Sequence, residues 1–166
     1  MPTHEEILNE VKSKFSDKLV RDYVDYDSLI LEIEAEGVYD VLAYLKNESS
    51  SQLNFLTTLC GLHFPDSAGK EFGVMYQIKN LISGYSLRLK SYIPLSSPKI
   101  KSVTSLFPSA NWMERQEYDF FGIEFTGHPD LRRILNVDDM DYFPMRKEYR
   151  LEDATRDDKE DKYFGR

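Results

Sequence analysis

Residues 112–135, WMERQEYDFFGIEFTGHPDLRRIL, concentrate more groups able to do chemistry than any other part of this 166-residue chain. Glu114, Glu117, Asp119 and Asp130 supply carboxylates, His128 an imidazole, and Arg115, Arg132 and Arg133 guanidinium groups. A carboxylate near a histidine can move protons, so His128 with Glu114 and Asp119 would be the residues of a hydrolase-like site. Such a site also needs a nucleophile, and none stands in the stretch. A zinc site needs clustered His, Cys or carboxylate ligands, whereas His4, His63 and His128 are scattered. The single cysteine, Cys60, excludes an internal disulfide and every Cys-rich zinc or iron–sulfur site. It follows a strand-like run with no base beside it, which reads as an inert buried thiol. His128 lies between Gly127 and Pro129, so hydrogen bonding to a turn or a nearby acid is its expected use. No GxGxxG and no phosphate-cradling GKS or GKT occurs, and SAGK at 67–70 is a turn between strands.

Spacing places part of this stretch on a helix over 110–121 that stops at Gly122. Met113, Glu117 and Phe120 share one face, and Glu114, Tyr118 and Phe121 a neighbouring one. Each apolar stripe therefore carries a carboxylate, which burial penalises unless a cation or backbone donor meets it. Three arrangements satisfy this pattern. The charges could edge a solvated helix, form an Arg–carboxylate network that fixes GHPDLRRIL onto the helix, or serve as paired catalytic carboxylates. In the network reading Arg115 reaches Asp119 one turn on.

The preceding elements must hold that helix. Ile7, Leu8, Val11 and Phe15 recur at helical spacing, which predicts a helix over 3–15. Two strands around an Asp-rich turn follow, with Leu29, Leu31 and Ile33 alternating against their neighbours. Val38, Val41, Leu42 and Leu45 return to helical spacing. A buried strand before Pro65 and an antiparallel pair joined near LISG complete a two-layer α+β domain with a mixed sheet over 1–94. Residues 95–136 read as a helical and loop segment packed on it, with at most one short helix around 102–107 before the one at 110–121. Beyond Asn136 periodicity is lost, yet Tyr142, Phe143, Tyr149, Tyr163 and Phe164 remain. An irregular tail over 137–166 that keeps its aromatics is expected to lie against its own domain or a partner.

With 41% hydrophobic residues the chain can build a core, and its formal charge of −8 argues against nucleic acid and anionic lipid as partners. The first residues form an amphipathic helix rather than a signal peptide, and no apolar run approaches the roughly 20 residues of a membrane span. A soluble, cytoplasmic chain is expected, with any membrane role indirect.

The string Trp112, Glu114-Arg115, Tyr118-Asp119, Phe121-Gly122-Ile123, then Gly127-His128-Pro129-Asp130-Leu131-Arg132-Arg133-Ile134-Leu135 resembles the signature of one family. It is similar to that of the 30 kDa subunit of respiratory complex I, the proton-translocating NADH:quinone oxidoreductase. Pro144, Arg146, Lys147 and Tyr149 continue the resemblance, which spans about residues 110–149. Two positions depart from the pattern: Gln116 replaces a second Glu, with Glu117 one place on, and Arg150 stands where Pro is common.

The resemblance implies a peripheral-arm subunit with no active site, metal or cofactor of its own. FMN and iron–sulfur clusters would sit on partner subunits, which pass electrons from NADH to quinone. It further implies packing against the 49 kDa subunit and neighbours near the quinone module, at the cytoplasmic side of a bacterial inner membrane. The signature residues would be docking surface and bracing, and the tail would order on assembly. The equivalent subunit of a membrane-bound hydrogenase or F420-type dehydrogenase is the alternative within the family.

Overall fold

The computed structural model describes residues 2–149. Thr3 begins the first helix, α1 (His4–Phe15), with a capping box. Its hydroxyl accepts from the Glu6 N–H at 3.2 Å, and Glu6 Oε2 accepts from the Thr3 N–H at 2.8 Å. Ile7 and Val11 form its buried stripe. Strands β1 (Leu19–Asp25) and β2 (Ser28–Ile33) form a hairpin through Tyr26 and Asp27, whose φ values of 47° and 56° suit a two-residue turn. Helix α2 (Val38–Asn47) buries Val38, Val41, Leu42, Tyr44 and Leu45. Strands β3 (Phe55–His63), β4 (Phe72–Lys79) and β5 (Ser86–Ile93) complete a sheet in the order β1-β2-β5-β4-β3. Only β2–β5 is parallel, so the sheet is mixed, and the expected two-layer α+β class is borne out.

Alternation assigns the two faces of the sheet. Phe72, Val74, Tyr76, Ile78, Leu87, Leu89 and Ile93 are buried in the core that includes residues of all three helices. Met75, Gln77, Lys79, Arg88, Lys90 and Tyr92 point the other way and are half-buried. No helix covers that second face among the described residues.

After the sheet come β6 (Lys99–Lys101), α3 (Ala110–Phe121) and β7 (Glu124–Thr126), with β6 and β7 paired in parallel. Ile100, Val103, Phe107, Phe121, Ile123 and Phe125 join the same core as the sheet. The short helix expected at 102–107 does not form. Residues 104–106 make a turn in which the Val103 carbonyl accepts from the Leu106 and Phe107 N–H groups. Pro108 disfavours helical geometry at Phe107 and so stops it there. The β6–β7 pair went unpredicted because three residues are too few to show a period.

The strand before Pro65 is also not buried as expected. β3 is an edge strand, with Phe55, Thr57 and Thr58 exposed. Its His63 end is shielded by α3, which approaches Gly61 closely. A Cβ on Gly61 would meet Glu117 Oε2 and Phe121 Cδ2, each at 2.7 Å. We therefore expect Gly61→Ala to lower unfolding free energy by about 1–3 kcal/mol, the usual cost of overpacking. Urea denaturation at neutral pH measures this, and a cost no larger than that of Ser67→Ala on the exposed turn would show that α3 moves aside freely.

Candidate functional site

Helix α3 presents its charged residues inward. Asp119 and Glu114 have no exposed surface, Glu117 is 3% exposed and Arg115 7%. Burial of four ionisable groups within two turns is tolerable only if each is hydrogen-bonded, and each is.

Asp119 makes the densest set. Its Oδ2 accepts from the backbone N–H groups of Ile134, Leu135 and Asn136 at 3.1, 2.8 and 2.9 Å. Its Oδ1 accepts from Arg133 Nη1 at 2.8 Å and Asn136 Nδ2 at 3.0 Å. Burial alone would raise the Asp119 pKa, but the N–H groups of Asn136 and Leu135 and the Arg133 guanidinium outweigh it. The carboxyl is held well below the usual carboxylate range. Arg133 also donates to the carbonyls of Asp119, Met140 and Tyr142 and lies over the Phe143 ring. One ion pair thus joins the helix to two later segments.

Arg115 does not pair with Asp119, contrary to the expectation from their spacing. It points to the same chain segment but donates to backbone, from Nε to the Arg132 carbonyl at 3.1 Å and from Nη2 to the Arg133 carbonyl at 3.0 Å. The donors around Asp119 already saturate its oxygens.

Glu114 and Glu117 meet backbone and hydroxyl donors rather than arginines. Glu114 accepts from the Val103 N–H at 2.7 Å and from the Ser102 hydroxyl at 2.6 Å, tying α3 to the chain leaving β6. Glu117 accepts from the Gly61 N–H at 2.7 Å, tying α3 to β3. Burial dominates at both and pushes each pKa up to about 7.

The helix ends at Gly122, which has φ 72° and returns its N–H to the Tyr118 carbonyl. Its lack of a side chain is used twice, because a Cβ there would lie 2.6 Å from both Arg146 Nη2 and Phe143 Cε2. The last carbonyls of α3 are capped from the tail. Phe120 accepts from the Met145 N–H at 3.1 Å, and Phe121 from Arg146 Nε at 2.7 Å. Arg146 spreads over Phe72 and Phe143, and Tyr118 meets Phe143 edge-on. Pro144 is half-buried at the start of this strap. Lys147 donates its N–H to Nδ1 of buried His63 at 2.9 Å, and Tyr149 stacks at a tilt on Tyr142.

His128 Nδ1 accepts from the Asp130 N–H at 3.0 Å, which leaves Nε2–H to donate to the Asn111 carbonyl at 3.1 Å. Gly127 takes φ 84° in this turn, and exposed Pro129 follows. Leu131 is half-buried against the core, while Arg132 pairs on the surface with Asp130. Trp112 is 59% exposed beneath the Arg115 guanidinium.

Sequence reasoning missed Gly61, Ser102, His63 and the Met140 and Tyr142 carbonyls as partners of this site. An isolated glycine inside a strand does signal close backbone approach, so Gly61 could have been found. Cys60 is half-buried, with its thiol pKa pushed up by burial and by Glu117, the opposite of activation. Among the described residues no group of three or more His, Cys, Asp or Glu could hold a metal ion. No helix there is long and apolar enough to cross a membrane.

The family model for the respiratory-chain NADH dehydrogenase 30 kDa subunit matches residues 31–155. The chain belongs to that family. The resemblance carried by residues 112–149 is borne out. The C subunit of NADH-quinone oxidoreductase from Mycolicibacterium gilvum is 33% identical over 82% of the chain, and that from Streptomyces coelicolor 36% over 77%. The chain spans 61% and 51% of those two relatives' lengths. The solved trypsin-resistant fragment of Nqo5 is 31% identical, with a TM-score of 0.64 over 76% of this chain and 98% of the fragment. The fold is shared with a chain of an archaeal membrane-bound sulfane sulfur reductase, at 23% identity and a TM-score of 0.74 over 89% of this chain and 85% of that one.

These carboxyls set opposite pH limits. Asp119 has a folded pKa below its ordinary 3.8, so its stabilising contribution exists above that pH and is lost as pH falls. Glu114 and Glu117 have folded pKa values above 4.5, so stability is lost as pH rises from 4.5 to about 7. Glu114→Gln keeps an acceptor for Val103 and a donor for Ser102, and should shrink the stability difference between pH 5 and pH 8. Asp119→Ala, which strands Arg133 and three N–H groups, should cost about 3–5 kcal/mol at pH 7. Chemical denaturation at both pH values checks the pair, and an unchanged pH slope in the Gln variant would refute the assignment to Glu114.

Proposed function

We propose that this chain is a non-catalytic structural subunit of the peripheral arm of an NADH:quinone oxidoreductase. The observation that carries this reading is that the ionisable groups of the signature are spent on bracing the chain itself. Asp119, Glu114 and Glu117 have both carboxyl oxygens engaged and His128 both ring nitrogens, while Arg115 and Arg133 are each committed to two or more acceptors of the chain itself, which leaves no acid–base group poised for turnover. Outside this braced interior stand Trp112, Leu135, Val137 and Met145, exposed by 59, 66, 63 and 51%. Exposed large apolar side chains at both ends of a rigid helix and on the chain braced to it are what a permanent partner covers.

In this reading electrons pass from NADH through FMN and iron–sulfur clusters on other subunits to quinone, coupled to proton translocation. The chain contributes docking surface at the cytoplasmic face of the bacterial inner membrane. Its chief partner is the 49 kDa subunit, with neighbours near the quinone module. Residues 1–94 serve as the folded base, 95–136 as the braced signature and 137–166 as the docking tail. Of that tail, Met145, Arg146 and Lys147 bond to the end of α3 and to His63 of β3, and 150–166 fall outside the described residues. Similarity to the C subunits of NADH-quinone oxidoreductases favours this reading over the hydrogenase or F420-type equivalent.

Replacing the chain in cells by an Arg132→Glu or Trp112→Ala variant tests it. Both side chains are exposed, so the isolated variants should melt within a few degrees of the parent, whereas NADH:quinone activity and co-purification with the other subunits from membranes should fall several-fold. The purified chain alone should oxidise no NADH and show no visible redox absorbance. Truncation after Tyr149 is a cleaner probe of tail docking than truncation near 137, which would also remove the carbonyl partners of Arg133 and the Arg146 cap. Full assembly and activity in all three variants would overturn the docking role.

A further inference from the structure

The uncovered face of the sheet has a charge unlike the rest of the molecule. Its strands present Arg21, Lys79, Arg88 and Lys90 against Asp25 and Glu32, a positive surplus on a chain of formal charge −8. Register sets these groups side by side. Arg88 lies between Ile30 on β2 and Gln77 on β4, and Lys90 between Glu32 and Met75. None of the four cations has a carboxylate within 4 Å among the described residues. Arg88 instead donates to Gln77 Oε1 at 2.8 Å, and Lys90 to the Tyr23 hydroxyl at 3.0 Å. Arg21 and Lys90 both lie over the Tyr23 ring, and Tyr92 and Met75 add half-buried apolar surface.

We propose that this face docks a carboxylate-rich surface of another subunit, forming a second interface on the side of the sheet away from the helices. The proposal rests on the subunit reading above. Charge decides the occupant. A second copy of this chain seated face to face would set cations against cations, which costs free energy. A small anion is a poor fit, because the four cations are spread over three strands, and the hollow of about 330 Å³ that Arg21 lines with Lys70 also carries the Glu32 carboxylate. An acidic protein surface matches both the charge and its spread over several strands. The face measures roughly four strand spacings by seven residues, on the order of 400–450 Å². That is about half of the roughly 800 Å² per partner in a standard stable interface. The face therefore suits one contact of several in an assembly rather than a free-standing pair.

Two measurements on the complex purified from membranes test this. The first is lysine acetylation followed by mass spectrometry, compared with the isolated chain. Lys79 and Lys90 should become at least fivefold less reactive in the complex. The second is zero-length carbodiimide cross-linking, which should join these lysines to Asp or Glu of another subunit. Arg88→Gln with Lys90→Gln, which leaves the covered face untouched, should reduce the chain's retention in the complex several-fold while its isolated melting temperature stays within a few degrees. The chain present in the complex with both lysines as reactive as in isolation would overturn this face and leave the subunit reading standing. Cross-links only to residues 150–166 of the same chain would also overturn it, by making the acidic tail the occupant. A complex that lacks the chain altogether would overturn the subunit reading and this proposal together.

Discussion

The Asp119 carboxylate is the point on which the second half of the molecule turns. A buried charge demands donors, and here three successive backbone N–H groups, one asparagine amide and one arginine provide them. Those donors belong to residues 133–136, so the same bonds that satisfy the carboxylate fix the chain after the GHPDLRR turn. Arg133 then passes the order on, because its Nη2 donates to the carbonyls of Met140 and Tyr142. An irregular segment acquires a defined path without secondary structure of its own.

The two glutamates do the reverse job, binding α3 to what precedes it. Glu117 holds β3 through Gly61, and Glu114 holds the segment after β6 through Val103 and Ser102. Their raised pKa values are the cost of placing carboxyls in the core, whereas Asp119 escapes that cost because so many donors converge on it. Three acids on two adjoining turns of one helix thus differ in protonation behaviour through neighbours alone. The parallel β6–β7 pair closes the unit by bringing the chain before α3 back beside the chain after it.

Much of this was legible in the sequence where a period or a special residue carried it. The limits of α3, its stop at Gly122, the hairpin around Asp27 and the succession of five sheet strands along the chain follow from spacing and turn residues. The presence of carboxylates in apolar stripes correctly demanded internal donors. Which donors could not be read, because Val103, Gly61, Leu135 and Asn136 contribute backbone groups that every residue but proline possesses. The same reason explains Arg115, whose acceptors are carbonyls and not the acid one turn away. The edge position of β3 and the three-residue ladder of β6 and β7 depend on long-range pairing, to which local patterning is blind.

The strap over residues 143–149 bears on the order in which the chain becomes complete. Three of its donors, the Met145 and Lys147 N–H groups and Arg146 Nε, find acceptors on residues at least 25 positions earlier. During synthesis the sheet and α3 are therefore already available when the strap emerges, and the end of α3 keeps bare carbonyls until it does. A nascent chain interrupted before residue 143 would lack the donors for the Phe120 and Phe121 carbonyls and leave the helix end unfinished. The strap thus ties the completion of α3 to residues 143–147, beside the exposed Met145 that we assign to a partner contact.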